Sequence, residues 1–132
     1  MTSFVLSSVP QIRFGAGRLV DIVPEAEARV GSGATVLMVA DPALKALGIT
    51  GLAVDMLARA GFETHVYYGF TGEPGVADVD AAAALARHHG ARVVVGLGGG
   101  SALDTAKLAA CCAVSGLAAS AYALCATPLP KN

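Results

Sequence analysis

The chain has 132 residues, 55% of them hydrophobic and 14% charged, and a formal net charge of −1. That length suffices for one domain with a core of its own, and an isoelectric point of about 6.2 leaves no basic footprint for nucleic acid or an anionic membrane surface. Mean hydropathy is high at +0.62, yet Gly, Asp, Arg or Glu interrupts every apolar run before the ~18 residues that a membrane span requires.

The opening MTSFVLSSVPQIRFG lacks the basic and long apolar regions of a signal peptide. QIRFGAGR, from Gln11 to Arg18, reads as an opening strand and turn, and LVDIVPEAEARV as a helix that accommodates Pro24 by a kink or a late start. Residues 1–31 are therefore expected to form an N-terminal strand and helix. Three later runs read as strands: TVLMVA (35–40), ETHVYY (63–68) and RVVVGLG (92–98). The first and third are continuously apolar and β-branched, as in parallel strands buried on both faces.

Helical periods separate these runs. ITGLAVDMLARAG repeats apolar residues at Ile49, Leu52, Ala53, Met56, Leu57 and Ala60, and stops at Gly61. VADVDAAAALARHHG sets Val76, Val79, Ala83 and Ala86 on one face, with acids early and His88 and His89 late. After the glycines, ALDTAKLAACCAV aligns Ala102, Ala106, Ala109 and Ala113, and residues 115–132 show no period and are read as an irregular tail. Alternation at this spacing predicts an α/β fold: an open parallel sheet with right-handed crossovers and helices on both faces. Cys111, Cys112 and Cys125 are odd in number, two of them adjacent, without C-x-x-C spacing. They are read as thiols of a reducing cytoplasm, not as a disulfide frame or zinc site. The apolar excess predicts a face that needs a partner, hence a homo-oligomer.

In a parallel sheet, ligands sit outside the carboxyl ends of the strands. Three loops reach that edge: ADPAL, GFTGEPG and GLGGGSALD. Gly98, Gly99 and Gly100 carry no Cβ, so their backbone can approach an anion closely, and a helix starting near Ser101 would direct its positive end at that anion. The competing reading makes Ser101 an N-cap, with Asp104 completing a capping-box-like pair. Asp41, at the end of the first strand, can accept both hydroxyls of an adenosine ribose and repel a 2′-phosphate, favouring NAD over NADP. It is equally an ordinary N-cap ahead of Pro42. Asp41 precedes Gly98 by 57 residues, the reverse of the Rossmann fingerprint, and no Gly-Lys-Ser/Thr of a P-loop occurs. His88 and His89 read as solvated helix-end cations, and His65 as solvent-facing or in a hydrogen-bonded niche. Lys107 reads as the i,i+3 partner of Asp104, and Asp78 and Asp80 as first-turn acids. No nucleophile-base set or metal-ligand cluster has convincing spacing.

GLGGGSALDTAK resembles the Gly-Gly-Gly-Ser-x-x-Asp-x-x-Lys signature of the iron-containing (group III) alcohol dehydrogenases. FGAGRL, VLMVADPAL and GEPG extend that resemblance across the chain. It implies that residues 1–132 form an NAD(P)-binding domain of a dehydroquinate-synthase-like fold. Gly98, Gly99, Gly100 and Ser101 would cradle the pyrophosphate, Asp104 would support that loop or lie close to the cofactor, and Asp41 would hold the adenosine ribose. Glu73 stands where many members have Asn, and is left outside the expected site. The resemblance further implies hydride transfer between a small alcohol or aldehyde and NAD (NADP as the alternative). The family's iron or zinc is held by an aspartate and three histidines of a second, helical domain, and those ligands match nothing in this sequence. The sequence itself is expected to bind no metal and to be inactive alone. A maleylacetate reductase or hydroxyacid-oxoacid transhydrogenase relative, and a stand-alone flavodoxin-like interaction module, are the alternatives.

Overall fold

The computed structural model describes residues 11–70, 72–125, 127, 128 and 130. Readings that concern the first ten residues, or Ala126, Leu129, Lys131 and Asn132 in the tail, lie outside these. Three strands form the expected parallel sheet: β1 (Thr35–Ala40), β2 (Glu63–Tyr67) and β3 (Val93–Leu97). Their order is β2-β1-β3, with Thr35 opposite Glu63 and Val36 opposite Val93. Helices α1 (Ile22–Val30), α2 (Pro42–Ala46), α3 (Ile49–Arg59), α4 (Val76–His88) and α5 (Gly100–Ser115) complete the fold, with 3₁₀ turns at Arg18–Asp21 and Ala119–Cys125.

The central strand explains the two-layer cover. From Val36 to Ala40 every β1 residue is fully buried. Leu37 and Val39 point into a cluster with Val79, Ala83, Ala106 and Ala109 of α4 and α5. Val36, Met38 and Ala40 point the other way, against Ala26, Ala53, Leu57 and Phe62. Each face thus loses water to its own helix pair, which is why the run is continuously apolar instead of alternating. The alanine stripes bring helices close to the sheet and to each other. A Cβ on Gly96 would lie 3.1 Å from the Ala106 Cβ, so α5 rests almost directly on the β3 backbone.

Several expectations change in detail. Gln11–Phe14 form no strand; the chain there is irregular and enters the 3₁₀ turn at Arg18. Pro24 sits in the first turn of α1, where its missing N–H is not needed, so the late start is the observed solution. In α3 the buried stripe is Thr50, Ala53 and Leu57, while Leu52 is half exposed. In α4, Val76 is exposed and Ala82 takes its place in the core. Asp80 is no helix-start acid: its Oδ1 accepts the Ala119 N–H at 2.7 Å and fastens the final 3₁₀ turn to α4. No helix among the described residues is long and apolar enough to cross a membrane. Cys112 is buried, and that burial, ahead of the nearby Asp80 charge, pushes its thiol pKa up.

The three histidines are not separate solvated groups. His65 and His89 stack with ring centroids 3.4 Å apart, His88 meets His89 edge-on at 4.7 Å, and Glu63 lies 3.0 Å from His65. Loss of water on the stacked ring, then the neighbouring imidazoles, hold His89 below its ordinary value of 6.5; Glu63 pulls weakly the other way. The unfolded chain therefore binds a proton that folded His89 resists, and stability declines as pH drops below roughly 6.5. Thermal midpoints compared at about pH 7.5 and 5.5 are expected to fall more for the native chain than for His89→Gln. Equal falls would remove His89 as the cause.

Candidate nucleotide site

The strand order creates a crevice at one edge. Beyond β1 the chain turns into α2 and α3 on one face of the sheet; beyond β3 it turns into α5 on the other. Adjacent strands whose exits part in this way leave a gap between them at their carboxyl ends, the usual ligand position in open α/β sheets. Asp41 lies on one lip and Gly98–Gly100 on the other.

The two lips touch. The Asp41 amide donates to the Leu97 carbonyl at 2.9 Å, extending the ladder one step past β1. Gly98 has φ +145°, and a Cβ there would stand 2.7 Å from the Asp41 Cβ and 3.1 Å from the Ala102 Cβ. Gly98 is thus required twice, by its backbone conformation and by the approach of the opposite lip. Gly99 and Gly100 differ, for a Cβ on either would meet nothing within 4 Å. Their outer side is open space.

Helix α5 begins at Gly100 with Gly99 as its N-cap and no side chain capping it. The competing reading, a cap at Ser101, does not occur, because Ser101 lies one residue inside the helix. Asp104 does not reach back either; its Oδ1 sits 3.5 Å from Lys107 Nζ, the i,i+3 pair read from the sequence. Among the described residues no acceptor takes the amides of Gly99, Gly100 or Ser101. Three adjacent donors at the positive end of a 16-residue helix, facing open space, favour an anion there. Asp41, by contrast, does cap: its Oδ1 accepts the Ala43 N–H at 2.9 Å, with Pro42 at the first helical position.

Two hollows meet at Ser101. One, about 250 Å³, is bordered by Asp41, Pro42, Phe70, Gly72 and Ser101. The other, about 490 Å³, runs past Glu73, Pro74, Gly100, Ser101, Asp104 and Tyr122. The expected residues are therefore brought to one place, with Asp41 and Asp104 on opposite sides of the glycine turn. Phe70, Pro74 and Tyr122 were missed. The first two fall in the loop after β2, which reaches the same edge, and that was the available signal. Glu73, left outside the expected site, borders the larger hollow.

A family model described as iron-containing alcohol dehydrogenase matches residues 10–131. The long-chain-alcohol dehydrogenase 1 of Geobacillus thermodenitrificans is 39% identical over 105 residues, covering 80% of this chain and 26% of that protein. The structure of sulfoacetaldehyde reductase from Bifidobacterium kashiwanohense, in complex with NAD+, superposes with a TM-score of 0.85 at 29% identity, over 98% of this chain and 34% of that one. The NADH-dependent butanol dehydrogenase A of Thermotoga maritima gives a TM-score of 0.86 at 26% identity, over 99% and 33%. The chain spans about a quarter to a third of the length of these relatives.

The close contact at Gly98 makes a direct prediction. Gly98→Ala should destabilise the chain by about 1–3 kcal/mol from backbone strain alone, with more from the collision with Asp41, as read by urea unfolding. A loss under about 0.5 kcal/mol would mean that the lips are not in contact.

Proposed function

The chain belongs to the iron-containing alcohol dehydrogenase family, and from that premise we propose that residues 1–132 form the NAD(P)-holding unit of an enzyme passing hydride between a small alcohol or aldehyde and the dinucleotide. The observation that carries this reading is the uncapped start of α5: three amides without acceptors among the described residues, in a glycine turn with open space beside Gly99 and Gly100. The pyrophosphate would lie against Gly98, Gly99, Gly100 and Ser101. The smaller hollow, with Asp41 on its rim, would take the adenosine ribose. The larger hollow, with Asp104 and Glu73, would take the nicotinamide half. The bound dinucleotide supplies the hydride acceptor; what this chain contributes is position and a positive helix end.

The iron or zinc of the family has no matching donor set here. Among the described residues no group of three or more His, Cys, Asp or Glu is arranged to hold a metal ion, and the stacked faces of His65 and His89 do not converge on a point. No step of the reaction is derived through a metal, and the proposal includes no turnover of alcohol by this chain alone.

Magnitudes bound the affinity. A helix N-terminus contributes about 0.3–2 kcal/mol to an anion and each backbone hydrogen bond about 1 kcal/mol. These sum to at most about 5 kcal/mol before the cost of association, so NAD+ is expected to dissociate at or above the millimolar mark, which corresponds to about −4 kcal/mol. The Asp41 carboxylate would disfavour a 2′-phosphate. Because serine caps a helix nearly as well as aspartate, Asp41→Ser separates the two roles of this residue. In titrations followed by the amide signals of Gly99–Ser101, the native chain should prefer NAD+ to NADP+, and Asp41→Ser should erode that preference about five-fold. Unmoved signals at ~10 mM NAD+ would overturn the reading; an unchanged preference in the variant would overturn the role of Asp41.

Self-association is part of the proposal. Ile12 and Phe14 are 76% and 95% exposed. Among the described residues nothing pairs with the outer edge of strand β3, which lines a groove of about 410 Å³. Light scattering at high concentration should give a dimer or larger, and a monomer throughout would refute this.

A further inference from the structure

The wall of the site opposite α5 is held by groups that never touch it. Tyr67 ends β2, half-buried, and its hydroxyl donates to Asp78 Oδ1 at 3.2 Å. The other oxygen of the same carboxylate, Asp78 Oδ2, accepts the Gly75 N–H at 2.8 Å. One side chain in the first turn of α4 therefore fastens both the end of β2 and the residue just before the helix. Between those anchors lie Phe70 and Gly72, which border the smaller hollow, and Glu73 and Pro74, which border the larger one.

The near end of the loop is set by the same phenol. A Cβ on Gly69 would collide with the Tyr67 Oη and Cζ, so the backbone crosses close beside the ring. Phe70 then drops into the α4–α5 core, 3% exposed. Burial first, then the Asp78 charge, pushes the Tyr67 pKa up, so its donating proton persists across the neutral range. Neither Tyr67 nor Asp78 borders a hollow.

We infer that Tyr67 and Asp78 are positioning residues for the dinucleotide, a clasp that fixes the wall formed by Phe70, Gly72, Glu73 and Pro74 against the α5 N-terminus. The inference rests on the dinucleotide reading for its ligand, but the clasp can be judged without one. The clasp acts through geometry, so its loss lets the wall move while the amides of α5 stay in place.

The test is NAD+ titration of the whole 132-residue chain by NMR for the native protein, Tyr67→Phe, Asp78→Ala and Asp78→Asn. Tyr67→Phe should weaken NAD+ about 3- to 10-fold, the worth of one net hydrogen bond, and Asp78→Ala, which also releases the Gly75 N–H, at least as much. Asp78→Asn should bind like the native chain, because its carbonyl can accept from Gly75 while its NH₂ donates to the Tyr67 oxygen. The double variant Tyr67→Phe/Asp78→Ala should be no worse than Asp78→Ala alone, since both changes cut one link. Native affinity in Tyr67→Phe, or a loss in Asp78→Asn equal to that in Asp78→Ala, would overturn the inference. Tyr67→Phe removes a single oxygen and carries the test if Asp78→Ala does not fold. Should the native chain bind no NAD+, the dinucleotide reading fails, and the clasp is decided by amide relaxation at Gly72, Glu73 and Gly75. Raised mobility there in Tyr67→Phe sustains it, and unchanged mobility defeats it.

Discussion

Everything at the carboxyl edge of this sheet depends on how closely β1 and β3 can run together past their last paired residues. The Asp41 amide reaches the Leu97 carbonyl, and that extra bond leaves no room for a side chain at Gly98. The glycine in turn frees the following residues to start α5 without a capping side chain, so its first amides face outward. An ordinary capping serine or aspartate in place of Gly99 would have taken up one of those donors, the Ser101 amide, internally. The open amides arise because a common stabilising device is omitted at one helix and kept at its neighbour, where Asp41 caps α2.

Much of this was legible in the sequence. The three strands could be read from runs too uniformly apolar for a one-sided sheet, and the glycine turn from its place between such a run and a helix. Asp41 and Gly98–Ser101 could be named because the edge of a parallel sheet is where ligands go. Two kinds of feature were not legible. The competing reading of Ser101 as a cap rests on its residue type, but the helix begins one residue earlier, and single-residue shifts at helix ends are beyond periodicity. The opening strand was read from apolar residues around Ile12 and Phe14; both are exposed, and a strand needs a neighbour as well as a composition.

Longer-range pairings were hidden for a simpler reason. Tyr67 and Asp78 lie 11 residues apart on different elements, and Asp80 meets Ala119 across 39 residues. Nothing in the local pattern distinguishes an acid that fastens a loop from one that decorates a helix start. The same holds for the histidines: His65 comes from a strand and His89 from a helix end, and only the fold stacks them.

The register of the sheet has a consequence for how the chain reaches this state. Its innermost strand is synthesised first, and its partners arrive 28 and 57 positions later, Thr35 meeting Glu63 and Val36 meeting Val93. Among the described strands no hairpin can nucleate the sheet, and closure of both long segments must precede any return from pairing. On the ribosome, the strand that ends up buried on both faces must therefore wait, uncovered, until β3 has emerged. Folding should be slow for a domain this small, and the nascent chain's dependence on chaperones correspondingly high.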